Sequence, residues 1–177
     1  ISKTKSYQEI QPALVLGWDW NSTTGITIDD QARLTWYEET NPIYQNQIEN
    51  RLSTELEFRP NSTFTLRTGP QWEICRSLPK PTGQDYQELA LTLGMDLFLS
   101  ERFWTTIEDR LGKRYYLPID SGLQFNYRFN EFNLLLNYQI LKGIALQGMI
   151  NIAPEWHTES IDNLAALSYS LELSYTF

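Results

Sequence analysis

Apolar residues recur at every second position over most of this chain. The pattern is cleanest near the carboxyl end, where Leu167, Tyr169, Leu171, Leu173, Tyr175 and Phe177 alternate with Ser168, Ser170, Glu172, Ser174 and Thr176. A period of two predicts a strand with one apolar and one polar face. The first strand carries Leu14, Leu16, Trp18 and Trp20. The second, 26–37, sets Ile28, Ala32, Leu34 and Trp36 against Asp29, Gln31, Arg33 and Thr35. Strands follow at 48–58, 64–74, 88–99 and 103–111, and later at 144–152 and 167–177. Pro70 falls inside the fourth, where an interior strand tolerates it only at a bulge. Between 123 and 140 the phase slips. Leu123, Phe125, Tyr127 and Phe129 are odd, whereas Phe132, Leu134, Leu136, Tyr138 and Ile140 are even. A one-residue bulge at Asn130-Glu131 inside one long strand explains the slip; a tight turn there, giving two strands, is the alternative.

Short polar turns at 21–25, 59–63, 100–102 and 141–143 alternate with longer connections at 38–45, 76–85, 112–121 and 153–163. No stretch shows a helical period. Strands separated by regular turn signals predict an all-β sandwich or barrel. Three features favour a membrane barrel. The strands run to about 9–14 residues, long enough to cross a bilayer at a tilt. Aromatic residues such as Trp18, Trp36, Trp72, Trp104 and Trp156 gather near strand ends, as in interfacial girdles. The polar faces carry full charges. The expectation is a single domain, 1–177: a transmembrane antiparallel meander β-barrel with about 9–10 strands in this chain. The competing class is a soluble β-barrel that holds Leu89, Leu91, Leu93 and Leu97 inside around a small apolar ligand.

The closing segment resembles the terminal strand of bacterial outer-membrane β-barrels, which ends on Phe with apolar residues at alternate positions. Here those positions are Tyr169, Leu171, Leu173, Tyr175 and Phe177. The resemblance implies that this strand is the assembly signal read by the barrel assembly machinery. It also implies residence in the outer membrane of a Gram-negative-type bacterium, with the lipid bilayer as a partner.

In such a barrel Leu52, Leu56, Leu91, Leu93, Leu134, Leu171 and Leu173 face lipid, and Leu91→Arg falls near the midplane. The residues expected to line the lumen are Asp29, Arg33, Glu49, Arg51, Glu55, Glu57, Arg67, Glu73, Glu88, Asp96, Glu108, Arg110, Arg128 and Glu172. Acids and arginines are interspersed among them. They read either as the wall of a pore or as a ladder of salt bridges filling a narrow interior.

Composition narrows the chemistry. The 177 residues carry a net charge of −8, which argues against nucleic acid. One cysteine, Cys75, rules out an intrachain disulfide framework, and one histidine, His157, rules out a multi-histidine zinc site. Adjacent carboxylates such as Asp29-Asp30 lie on opposite faces of a strand and cannot pair as acid and base. His157 is assigned to the last loop beside acids and a serine, where solvation is the simpler account. The Asn-Ser-Thr triplets at Asn21 and Asn61 are read as turns rather than glycosylation sites. No cofactor, metal site or catalysis is expected.

The functional expectation is a channel or exporter barrel passing small polar solutes or ions. The alternative is a structural or assembly barrel that anchors a partner protein without conducting. The alternation of short and long connections gives nine strands, an odd number that forces the first and last strands parallel. The expectation is therefore a larger barrel, completed by another strand or chain.

Overall fold

The computed structural model describes residues 6–38, 45–79, 84–117, 126–157 and 160–175. They form one antiparallel sheet. Its strands are β1 (Tyr7–Ile10), β2 (Ala13–Asn21), β3 (Thr24–Tyr37), β4 (Asn46–Asn61), β5 (Phe64–Leu78), β6 (Tyr86–Ser100), β7 (Phe103–Tyr116), β8 (Tyr127–Leu141), β9 (Ile144–His157) and β10 (Leu164–Tyr175). A single 3-10 turn, Ser160–Asp162, precedes β10. From β3 to β10 each strand pairs with its neighbours in sequence, so the chain is a meander. β1 and β2 both pair with β3 and share one register, with Ile10 opposite Leu34 and Ala13 opposite Gln31. They are one strand position interrupted at Gln11-Pro12. Pro12 has no N–H to donate, but its carbonyl still accepts from the Ala32 N–H at 3.0 Å. The sheet therefore has nine strand positions and is open among the described residues. The connections around Asn41 and Lys80, and residues Leu123, Phe125 and Phe177, lie outside the described residues.

The short connections are two-residue turns, and their sequences say why. In the first two, the Asn21 and Asn61 side chains accept from the backbone N–H of Thr23 at 2.8 Å and Thr63 at 2.9 Å. The two triplets are thus the same side-chain-closed turn, as their composition predicts. Ser100 plays the corresponding part at the third, accepting from the Phe103 N–H at 3.1 Å. At the fourth, Gly143 takes a φ of 83°, which a side chain would strain. The strand entering each turn carries a register shift, at Asp19/Asn21, Phe58/Asn61, Phe98/Ser100 and Gln139/Leu141.

Three expectations need correction. There is no bulge at Asn130-Glu131: β8 pairs with β7 in one unbroken register from Tyr127 to Tyr138. One long strand is right, but its phase never slips; Tyr127 and Phe129 point to the polar face and are buried there. Pro70 also sits in an unshifted register, with Ser53 opposite Gln71 and Leu56 opposite Thr68 on either side of it. The ladder with β4 lapses between those pairs, so the missing N–H leaves no bulge. Finally, β7 and β9 run further than the alternation suggests, to Tyr116 and His157. His157 is a strand residue, not a loop residue.

The two faces are not equally covered. On β6, Glu88 on the polar face is 1% exposed while Leu89 on the other is 57% exposed. Gln71, Cys75, Tyr127 and Phe129 are buried on the polar face; Leu52, Leu56, Leu91, Leu93, Leu171 and Leu173 are exposed on the apolar one. A flat single layer would leave both faces equally open. The sheet therefore curls around its polar face and turns its leucines outward. A soluble barrel needs the reverse, with those leucines enclosed.

Phe129 has a packing reason for facing inward. It lies directly opposite Gly112 on β7, and its ring fills the space a side chain would take. A Cβ on Gly112 would sit 2.3 Å from Phe129 Cζ and 2.8 Å from the Leu89 carbonyl oxygen. Gly112→Ala is expected to cost about 1–3 kcal/mol by overpacking. The cost should shrink in a Phe129→Ala background, since the two positions share one space. A double-mutant cycle from urea unfolding midpoints checks this; strictly additive effects would count against the packing account.

Candidate functional site

The polar face holds the chemistry. Strand register puts thirteen of the fourteen expected charged residues on it: Asp29, Arg33, Glu49, Arg51, Glu55, Glu57, Arg67, Glu73, Glu88, Asp96, Glu108, Arg110 and Glu172. Arg128 is the exception. With β8 in a single phase, Arg128 pairs with Lys113 and Trp156 and lies on the apolar, outward face. The supposed slip had moved it to the wrong side. Of the expected terminal-strand residues, Tyr169, Leu171, Leu173 and Tyr175 share the exposed apolar face of β10.

The structure adds polar-face residues that the sequence reading missed. Arg114 follows Arg110 and Gly112 at strand spacing, but the shorter strand placed it in a loop. Glu131 was lost to the supposed bulge. Arg59, Asp19, Glu9, Glu155 and His157 complete the set. Extending that strand by three residues, from Leu111 to Arg114, would have found it.

Along this face the groups link across strands. Arg33 meets Glu49 at 3.2 Å, and Arg59 bridges from Glu57 at 3.3 Å to Asp19 two strands away. Arg67 contacts Asp96 at 3.2 Å and lies 3.9 Å from Glu55, while Thr106 donates to Asp96 at 2.8 Å. The most sheltered group is Glu88, which accepts from Arg110 on one side and from Arg114 at 2.6 Å on the other. Arg110 also reaches Glu131 at 2.7 Å. Aromatic rings complete the packing: Arg110 lies 4.7 Å from the Phe129 ring centre, and Arg114 lies 4.1 Å from Tyr86 and 5.6 Å from Tyr127. The ring faces attract the guanidiniums and exclude water from them. Tyr86 in turn donates to Glu73 at 2.5 Å. This cluster sits at the end of the sheet that bears the long connections.

Beside it, a groove of about 450 Å³ is lined by Gln11, Gln31, Arg33, Glu49, Arg51, Glu73 and Tyr86. Arg51 donates to Gln31 and has no carboxylate within ion-pair distance among the described residues. Every other polar-face arginine is tied to at least one acid.

Acids are in clear excess. The nine expected acids, joined by Glu9, Asp19, Glu131 and Glu155, make thirteen carboxylates. Against them stand six guanidiniums, from Arg33, Arg51, Arg59, Arg67, Arg110 and Arg114. Glu108 and Glu172 face no cation at ion-pair distance among the described residues.

His157 and Cys75 also lie on the polar face. His157 Nε2 lies 3.4 Å from Glu155, and its ring centre is 5.0 Å from that of Tyr127. Cys75 is a buried free thiol. No group of three or more His, Cys, Asp or Glu side chains is placed to hold a metal among the described residues. No protein-family model, curated protein or solved structure matches the chain.

Proposed function

We propose that the chain forms the wall of an outer-membrane β-barrel that passes small polar solutes or ions without catalysis, with a preference for cations. The observation that carries this reading is the inverted burial: a sheltered face of charges and an exposed face of leucines. Water cannot favour that arrangement, whereas a bilayer around a polar lumen does. Strand length agrees. On β6 the outward residues from Leu89 to Leu99 span eleven residues, ten steps or about 34 Å of strand, which a tilt of about 40° reduces to about 26 Å of membrane depth. Cation preference follows from the excess of carboxylates, since a lumen of one sign concentrates counter-ions.

The Arg110–Glu88–Arg114 cluster favours a second reading. With Tyr86, Tyr127 and Phe129 it fills part of the interior near one end, as a non-conducting anchor barrel would. Planar-bilayer recording decides between them. The channel reading expects discrete conductance steps and, in a potassium chloride gradient, a reversal potential on the cation side. That potential should move toward zero in a Glu73→Gln/Glu108→Gln variant. Insertion without conductance would favour the anchor, and a reversal potential on the anion side would overturn the charge argument.

A further inference from the structure

One pair of charges stands outside the ion-pair ladder. Lys113 on β7 and Arg128 on β8 are direct cross-strand partners on the outward face. Like charges so placed repel. Neither meets a carboxylate at ion-pair distance among the described residues, whereas all but one of the polar-face arginines do. Lys113 Nζ instead lies 4.5 Å over the ring of Tyr115.

The surroundings say what kind of anion would relieve the repulsion. Arg128 continues along the row of cross-strand partners to Trp156, and Lys113 to Leu89 and then Trp72. Both tryptophans are substantially exposed. One residue pair further from the long connections, Leu91 and Leu111 are partners on the same face, and both are exposed. The two cations thus lie between aromatic side chains at the upper border of an apolar band. A headgroup phosphate would sit at that border, and its acyl chains would run down over the leucines.

We infer that Lys113 and Arg128 form a binding site for the phosphate of an anionic lipid headgroup. Trp156 and Tyr115 flank the headgroup, and Leu91 and Leu111 lie against its chains. The inference rests on the membrane reading above. Two charge-assisted contacts to one phosphate offset the repulsion between the cations.

The test uses the full chain purified in dodecyl maltoside, with phosphatidylglycerol and phosphatidylcholine as probes, read by native mass spectrometry. Phosphatidylglycerol is expected to be retained preferentially. Retention should fall at least about tenfold in Lys113→Gln/Arg128→Gln. The swap Lys113→Arg/Arg128→Lys should restore it, which guards against a variant that merely misfolds. Equal retention by wild type and the neutral variant would overturn the inference. So would displacement of the lipid by inorganic phosphate without any preference for phosphatidylglycerol, which would mark a site for the soluble anion. Insertion into phosphatidylcholine vesicles is measured in parallel. Failure of the wild type to insert would remove the membrane reading itself, whereas insertion without lipid preference would remove only this site.

Discussion

Glu88→Ala should lower the stability of the protein by about 3–5 kcal/mol, the usual result of stripping one partner from a buried charged group. Glu88 is 1% exposed and holds two guanidiniums at once. Without it, Arg110 keeps Glu131 at 2.7 Å, but Arg114 loses the only carboxylate it contacts among the described residues. Its charge would then rest on the ring faces of Tyr86 and Tyr127, each worth about 0.5–2 kcal/mol, and on its side-chain hydrogen bond with Tyr116. Glu88→Gln should cost less, since the amide oxygen still accepts one hydrogen bond while the Coulomb attraction is lost. Glu88→Leu combined with Arg114→Met should recover most of the loss, because an apolar pair of similar volume leaves no charge stranded. Urea unfolding in lipid vesicles, followed by tryptophan fluorescence, measures all three. A loss below about 1 kcal/mol for Glu88→Ala would mean that water reaches the cluster, and the sheltered interior would have to be abandoned.

The same cluster explains where the sequence could be read and where it misled. Alternation located the strands, and turn composition located the four tight hairpins, because both are local properties of the chain. The face of each strand was legible wherever apolar meant outward. β8 broke that rule at Tyr127 and Phe129. These rings face the charged side because Arg114 and Arg110 stack on them and because Gly112 leaves room for one. Both reasons lie on β7, across a register that the sequence does not display. Read locally, the rings looked like outward residues. That reading created the phase slip and moved Arg128 to the wrong side. The exposed face has its own exceptions: Asp30 accepts from Asn50 at 2.7 Å there, and Asp109 lies opposite Leu93 and Phe132. Such exceptions need partner strands to interpret. Thirteen of the fourteen expected charges share one face because β3 to β7 carry most of their charges at alternate positions, with Asp30, Arg76, Asp109 and Lys113 the exceptions.

Leu134→Arg should cost about 2–4 kcal/mol in a bilayer, the value for a basic residue at the midplane of a membrane barrel. The depth comes from register. Leu134 is six residues along β8 from Arg128 and four from Tyr138, which packs on Phe103 with ring centres 6.4 Å apart. At about 3.4 Å per residue, that places it roughly midway between the Lys113–Arg128 row and the aromatic pair near the short turns. Its row neighbours, Ile107 and Ile150, offer the guanidinium nothing. Leu91, which the sequence placed near the midplane, lies only one residue pair from the Trp72–Lys113–Trp156 row, so Leu91→Arg should cost closer to about 1 kcal/mol. Leu93 is a poor probe, since its partner Asp109 would pair with an introduced arginine. The gradient between Leu91 and Leu134 discriminates sharply. If this face met water, both would be surface changes within about 0.5 kcal/mol of neutral. Equilibrium unfolding from phosphatidylcholine vesicles measures the two variants side by side. Equal, small effects at both positions would show that the leucine face does not lie in lipid, and the channel and anchor readings would fall together.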